Sequence, residues 1–139
     1  MKRVVLCVLA GVLLWLPCGQ ARAVSANEDA ALGAARVWLA LVDAGRYADS
    51  WKKASAYFQG AVNRETWVAS LDGIRKPLGK VRSRKVAKVK ETTELPGAPD
   101  GRYVVLSFSA SFEKKKTATE TVTFMSEDGA WKAAGYFIK

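Results

Sequence analysis

Glu120 is the residue whose type and position could do chemistry in this chain. It falls in a predicted strand over residues 117–126, where Ala118, Val122 and Phe124 share its side of the alternation. If Val122 and Phe124 point into the core, Glu120 points inward too. A buried carboxylate must be neutralised, hydrogen-bonded or paired with a cation. The candidate partners are Arg36, Arg75, Arg82 and Arg84.

Two roles for Glu120 stay open at this point. It could contact a ligand in a cleft or act as a general base, or it could be solvated near the strand end or simply ion-paired. The chain has no histidine, which removes the commonest general base and the commonest metal ligand. The sequence also lacks a phosphate loop, metal-ligand spacing and a nucleophile elbow. We therefore expect no assigned catalytic residue, no metal and no cofactor.

Four residues are candidates for contacting a ligand: Glu120, Arg75, Arg84 and Trp38. Tryptophans at positions 38, 51, 67 and 131 each fall on an apolar stripe or strand, which is typical of core residues. An aromatic-lined pocket is the alternative. Asp43, just before a helix stop at Gly45, is expected to be an exposed helix-end residue, with a cleft acid as the alternative.

A basic segment precedes the predicted turn cluster. Residues 75–90 contain no acid, and strict alternation would put five cations on one strand face: Lys80, Arg82, Arg84, Lys88 and Lys90. Of these, Lys80, Arg82, Lys88 and Lys90 are candidates for contact with an anionic surface. The other interpretation is an edge strand that charge protects from aggregation.

The first 23 residues have the layout of a secretory signal peptide. Lys2 and Arg3 precede an apolar run from Val4 to Leu16, and Ala21-Arg22-Ala23 supplies small residues for cleavage after Ala23. The run is too short for a membrane span. We expect a periplasmic or secreted protein that has no membrane span after cleavage and no nucleic-acid partner. Both cysteines, Cys7 and Cys18, would leave with the signal peptide.

Residues 24–139 are predicted to form one domain. Three helices are expected first: one capped by Asn27 and ended by Gly45, one carrying Tyr47, Trp51, Ala54 and Phe58, and one from Asn63 to Pro77 and Gly79. Period-2 patterns then predict strands over 80–94, 104–112, 117–126 and 130–138, separated by turns at 96–101, 114–116 and 127–129. This order predicts an α+β fold, with three N-terminal helices packed on a four-stranded antiparallel curved sheet.

Several strings resemble a bacterial family known as domain of unknown function 4019. They include Trp38 to Asp43, Arg75 to Gly79, Leu95 to Gly101, Glu120 to Thr123 and Asp128 to Trp131. The resemblance implies an exported protein with a fold similar to the nuclear transport factor 2-like or cystatin-like folds. It assigns no activity, but it draws attention to Arg75, Arg84 and Glu120.

From these patterns we expect a non-enzymatic binding or interaction module, with a pocket or groove between the helices and the sheet. The partner would be an unknown small molecule or an envelope protein. The alternatives are an assembly or surface-association protein that uses the basic strand over residues 80–90, and a small enzyme with Glu120 as general base.

Overall fold

The computed structural model describes residues 22–139. The predicted signal peptide lies outside these residues, apart from Arg22 and Ala23. Four helices come first: α1 (Ala26–Asp43), α2 (Tyr47–Lys53), α3 (Ala56–Ala61) and α4 (Arg64–Leu78). Four strands follow: β1 (Val81–Thr92), β2 (Tyr103–Phe112), β3 (Lys115–Glu127) and β4 (Ala130–Ile138). They form an antiparallel sheet in the order β1-β2-β3-β4. The predicted α+β class is confirmed, with four helices rather than three.

The N-cap of helix α1 lies two residues earlier than predicted. Ser25, not Asn27, is the N-cap, and its side chain accepts the backbone N–H of Glu28 while the Glu28 carboxylate accepts the N–H of Ser25. This reciprocal pair satisfies two backbone donors that a helix start leaves free. Asn27 instead donates its side-chain amide to Glu91 on β1, at 2.7 Å. The start of α1 is thereby tied to the sheet.

The second predicted helix is two short helices, α2 and α3. The break comes at Ser55, whose side chain caps α3 by accepting the N–H of Phe58. The backbone N–H of Ser55 donates to the carbonyl of Ala133 on β4, at 2.9 Å. The apolar spacing continues across the break because α2 and α3 both contribute residues to the core. Periodicity alone therefore could not separate them.

Helix α4 matches its prediction closely. Asn63 caps it by accepting the N–H of Thr66, and Gly79 follows the last residue with a positive φ of 72°. Pro77 lies inside the last turn rather than ending the helix. Arg75, two residues before it, is buried and aims from this helix into the domain.

The sheet is built as a meander of hairpins. The predicted turn at residues 114–116 is shorter than expected, because β3 begins at Lys115. The turn at Asp128-Gly129 has positive φ at both residues, 51° and 77°, which is the tight hairpin turn that matches strand twist. The inner face of the sheet and the helices enclose one main core, which includes Trp38, Leu39, Leu71, Leu106, Phe108, Val122 and Phe124. Helix α1 contacts all four strands.

None of the helices in residues 22–139 is long and apolar enough to span a membrane.

Candidate functional site

Glu120 lies at the centre of a buried polar network on the inner face of the sheet. Its exposed fraction is 0%. Arg84 on β1 donates to both carboxylate oxygens, from Nε to Oε1 at 2.7 Å and from Nη2 to Oε2 at 3.2 Å. Tyr136 on β4 donates its hydroxyl to Oε2 at 2.6 Å. The predicted inward direction of Glu120 is therefore confirmed, and its partner is Arg84.

The network continues to the helices through Asp43 at the end of α1. Asp43 accepts from Arg84 at 2.8 and 2.9 Å, and from Nη2 of Arg75 at 2.8 Å. The residue as a whole is exposed, as expected of a helix end, but its side chain is only 21% exposed and pairs with both arginines. Arg75 also approaches the Tyr136 hydroxyl at 3.4 Å, and its guanidinium lies 5.1 Å from the centre of the Phe112 ring. Two carboxylates and two guanidiniums thus balance each other's charge.

A β-bulge at Ala87 turns Arg84 toward Glu120. After Ala87 in the chain, Val89 pairs with Leu106, whereas before Ala87, Val86 pairs with Phe108. The extra residue reverses the strand's alternation, so Arg84 lies opposite Ala110 and on the inner face. The expectation that Arg84 lies on one face with Lys88 and Lys90 was wrong for this reason.

A second bulge, at Ala134, turns Tyr136 toward the same carboxylate. Phe124 pairs with Ala133, but Thr123 pairs with Gly135, so Ala134 has no partner on β3. Without this extra residue the hairpin register would place Tyr136 opposite Thr121, on the outer face. With it, Tyr136 pairs with Val122 and faces inward. Two bulges therefore aim two side chains at Glu120, and bulges commonly re-aim side chains in this way.

Burial and charge act against each other on the ionisable groups of this network. Burial alone would raise the pKa of Asp43, but hydrogen bonds from Arg84 and Arg75 outweigh it and hold the pKa below its ordinary value. Burial raises the pKa of Tyr136, and the charge of Glu120 and its hydrogen bond raise it further. Tyr136 therefore remains a hydroxyl donor throughout the neutral range.

This arrangement leaves Glu120 without access to a substrate. Its oxygens already accept three hydrogen bonds, and none of its surface is exposed. A general base must lie within hydrogen-bond reach of the proton that it takes. The network can hold the helices against the sheet. It would have to open before Glu120 could take a proton from a substrate.

Trp38 is held by a second buried polar centre, Ser50. The indole Nε1 of Trp38 donates to the Ser50 carbonyl at 2.8 Å, and Nε1 of Trp67 donates to the Ser50 hydroxyl at 3.0 Å. That hydroxyl donates to the carbonyl of Tyr47 at 2.7 Å. The Trp38 ring also packs edge-on to Tyr136, with centroids 5.7 Å apart. Trp38 therefore borders the Glu120 network and has a fixed orientation.

Trp38 also lines an open groove between helices α1 and α2 and strands β3 and β4. We call it the Trp38 groove; its volume is about 560 Å³. Its apolar lining comprises Ala34, Val37, Trp38, Leu41, Phe124 and Trp131, and Arg46, Lys53 and Lys132 complete it. Val37 is 72% exposed. The groove presents aromatic and aliphatic surface to solvent.

The family profile described as "Protein of unknown function (DUF4019)" matches residues 34–136. The chain belongs to the DUF4019 family. The match covers most of the chain, including Asp43, Arg75, Arg84, Glu120 and Tyr136, the five residues of the Glu120 network. A comparison with curated proteins finds no match. Membership of this family therefore assigns no activity to the chain.

The basic residues of this DUF4019 domain do not form one row. Lys80 precedes β1 and lies in a small opening that also includes Arg75 and Glu113, while Arg82 lies 3.9 Å from the Glu113 carboxylate. Lys88 and Lys90 pair with Ser107 and Val105 on the outer face of the sheet, and both are exposed. The predicted anionic-partner residues thus fall into two separate groups.

The structure brings Glu120, Arg75 and Arg84 together, and Trp38 lies beside them. Tyr136 is the site residue that sequence reasoning missed, and Gly135 next to it was the available signal, since a glycine inside a strand often marks a bulge. Ser50 was also missed, because a serine on an amphipathic helix gives no sign of being buried. Within residues 22–139, no three Asp or Glu side chains cluster as metal ligands would.

Proposed function

We propose that this DUF4019 protein is an exported, non-enzymatic binding module that holds a small apolar molecule in the Trp38 groove. The observation that carries the proposal is the apolar lining of that groove, in which Val37 is exposed and Trp131 half-buried, while the buried Trp38 supports them from the core. Ligand sites are typically concave, mainly apolar and of about 300–1,000 Å³. The groove, at about 560 Å³, falls within that range.

The chemistry of the groove favours an apolar ligand with an aromatic or aliphatic body. Trp131 is half-buried and offers ring surface beside the exposed Val37, whereas Trp38 and Phe124, 3% and 1% exposed, belong to the buried core behind them. Aromatic rings give much contact area for little loss of side-chain entropy, particularly where the ring is already fixed. Because two indole hydrogen bonds to Ser50 hold the adjoining core, little ordering is needed when a ligand binds.

The Glu120 network supports a binding role over an enzymatic one. A catalytic carboxylate would need a cavity that reaches it from solvent. Here the carboxylate is enclosed by Arg84, Tyr136 and the core. We infer that Glu120 fixes the position of β4 and α1, and so the shape of the adjacent groove.

Export is part of the proposal. Cleavage after Ala23 would leave Val24 as the first residue, just before the capping box of Ser25 and Glu28. Ser25 and Asn27 also donate to Glu91 on β1, at 3.0 and 2.7 Å, so the new terminus would stay attached to the sheet. N-terminal sequencing of the protein expressed with its native leader in a bacterium should find Val24 first. An intact Met1 in the membrane fraction would contradict export with cleavage.

The binding proposal is tested with a neutral apolar probe, 1-naphthalenemethanol, and residues 24–139. Ala34→Trp fills the groove from α1, and Ala40→Trp adds the same ring at an exposed position of the same helix. We expect the probe to bind to the parent and to Ala40→Trp, and at least about tenfold more weakly to Ala34→Trp. Equal binding to both variants, or no binding to the parent at millimolar probe, would overturn the proposal.

A second candidate function, association with an anionic surface, is favoured by one observation. Lys85, Lys88 and Lys90 lie on the outer face of β1, and none of them forms an ion pair within residues 22–139. Their strand neighbours on that face are Ser109, Ser107 and Val105. An anionic surface that contacted the outer face of β1 and β2 would therefore meet three positive charges and no carboxylate.

Vesicles with anionic lipid test this second candidate. Lys88→Gln with Lys90→Gln should reduce sedimentation with the vesicles, while Lys52→Gln with Lys76→Gln, which removes the same charge from the helices, should reduce it less. Equal losses for the two pairs would mean that net charge alone, and not the outer face, attracts the protein.

A further inference from the structure

A separate pocket lies between α1 and β1, on the Arg84 side of the Glu120 network. We call it the α1–β1 pocket; its volume is about 430 Å³. It is lined by Arg36, Leu39, Arg84, Lys85, Val86 and Phe108. These residues include three cations, three apolar side chains and no acid. This composition differs from that of the Trp38 groove, and a role for this pocket is independent of the function proposed for the groove.

The charges around this pocket do not cancel. Arg84 is neutralised, because Asp43 and Glu120 balance it together with Arg75. Arg36 and Lys85 are exposed, and neither forms an ion pair within the described part of the chain, residues 22–139. Lys85 belongs to the outer face of β1, opposite Ser109, and borders the pocket only at this edge of the sheet. The pocket therefore carries one positive charge, that of Arg36, that the fold leaves without a counter-charge.

Arg84 gives the pocket a rigid donor. A guanidinium has five N–H groups in a fixed plane. Four of those of Arg84 donate to Asp43 and Glu120, and one N–H on Nη1 remains. The side chain is 16% exposed. Because both acids hold the plane in place, this donor is oriented before any ligand arrives, which lowers the entropy cost of binding.

The floor of the pocket is apolar. Leu39 is 0% exposed and Phe108 is 2% exposed, so both are core residues that also form the pocket wall. Val86 is 40% exposed, which is unusual for a residue on the inner face of a sheet. Val86 therefore supplies the accessible apolar surface of the pocket. A purely inorganic ion would leave Val86 wet, whereas an organic anion would cover it.

We propose that the α1–β1 pocket binds a small organic anion, namely a carboxylate or phosphate monoester on a short apolar body. The anionic group would be held by Arg36 and the remaining N–H of Arg84. The apolar body would lie on Val86, whose side chain is exposed. Hydrogen bonds between charged partners are about twice as strong as neutral ones, so the charge of the ligand dominates its recognition.

Binding of benzoate and phenyl phosphate to residues 24–139 tests this proposal, with benzamide as the neutral counterpart of benzoate. Arg36→Gln should weaken binding of both anions about tenfold. Arg46→Gln removes one charge from the Trp38 groove instead and should leave the affinity within about twofold. Benzamide should bind at least about tenfold more weakly than benzoate, and the Nε–H resonances of Arg36 and Arg84 should move with benzoate.

The proposal is overturned if neither anion binds at concentrations up to about 10 mM. It is also overturned if benzamide binds as tightly as benzoate, or if Arg36→Gln and Arg46→Gln lose affinity equally. Arg36 and Arg46 are both exposed, so these variants should fold, and thermal unfolding checks this. Ala34→Trp, which blocks the Trp38 groove, should leave benzoate binding unchanged, so failure at one site is distinguishable from failure at the other.

Discussion

Arg84 and Glu120 form a two-point ion pair across the inner face of the sheet, with Nε–Oε1 at 2.7 Å and Nη2–Oε2 at 3.2 Å. Both residues lie on strands, separated by β2. Their pairing requires both side chains to face the helices, and the bulge at Ala87 makes this so for Arg84. The pair thus depends on a backbone irregularity, and it connects the two edge strands and α1 through Tyr136 and Asp43.

Removing one partner of this pair should destabilise the domain strongly. Arg84→Gln leaves the Glu120 carboxylate buried with one hydroxyl donor, so we expect the free energy of unfolding to fall by about 3 kcal/mol. Lys85→Gln, at the next position and exposed, should change it by less than about 0.5 kcal/mol. Chemical denaturation of both variants measures the difference. Similar small losses would show that the pair contributes little.

The stability of the domain in acid should depend on the ionisation of Asp43. In the unfolded chain Asp43 takes up its proton near its ordinary pKa of 3.8, whereas in the fold its pKa is lower. The unfolded state therefore binds more protons as the pH falls through and below about 4, and stability is lost there. Unfolding measured from pH 7 to pH 2 should show this loss. Asp43→Asn should be less stable at pH 7 and less sensitive to acid.

Asp72→Asn is the control for that titration, because Asp72 forms an exposed pair with Lys76. It should keep the acid sensitivity of the parent. An Asp43→Asn variant that loses stability below pH 4 as steeply as the parent would contradict the assignment.

The stability of the domain at alkaline pH should depend on the Tyr136 hydroxyl. Its pKa is raised in the fold above the ordinary value of 10.0, so the hydroxyl stays protonated while the unfolded chain ionises. Stability should then fall as the pH rises above about 10. Tyr136→Phe should lose about 1.5 kcal/mol at pH 7, where the hydroxyl donates to Glu120, and should lose less stability than the parent between pH 9 and 11.

Tyr57→Phe is the matched control, since the Tyr57 hydroxyl donates to the carbonyl of Gly97 in an exposed position. We expect its alkaline profile to match that of the parent. If Tyr136→Phe and Tyr57→Phe behave alike at all pH values, the Tyr136 hydroxyl is not part of a buried network.

Ser50 should contribute more to the stability of the domain than its small side chain would indicate. Ser50→Ala removes the acceptor of the Trp67 indole inside the core, which should cost about 1–3 kcal/mol. Ser70→Ala, on the exposed side of α4, gains the same helix propensity and loses no buried partner. Its stability should stay within about 0.5 kcal/mol of the parent. Equal stability of the two variants would contradict the role of Ser50.

The sequence was sufficient to predict helices followed by four strands, although not the break between α2 and α3. It also indicated an inward Glu120, with solvation near the strand end left open as the alternative. Alternation over residues 117–126 is regular, and the two-residue turn at Asp128-Gly129 has the positive φ angles that a tight hairpin requires. Local patterns of this kind act within a few residues, so they can be read from the chain alone.

The partners of Glu120 were not predictable in the same way. Ala87 and Ala134 shift the alternation of β1 and β4, and neither alanine differs chemically from an ordinary strand residue. A slip of one residue exchanges the two faces of a strand. Alternation therefore placed Arg84 on the outer face with the lysines, although packing of the whole domain places it inside. The pairing of Asp43 was equally hidden, because its partners are far along the chain.

Mapping where 1-naphthalenemethanol binds, by ¹H–¹⁵N NMR of residues 24–139, is the sharpest test of binding in the Trp38 groove. We predict that the indole N–H of Trp131 and the backbone N–H of Val37 move with probe concentration. The Nε–H of Arg84, enclosed in the Glu120 network, should stay in place. Shifts centred on Arg84 and Tyr136, with Val37 and Trp131 unmoved, would contradict binding in the groove.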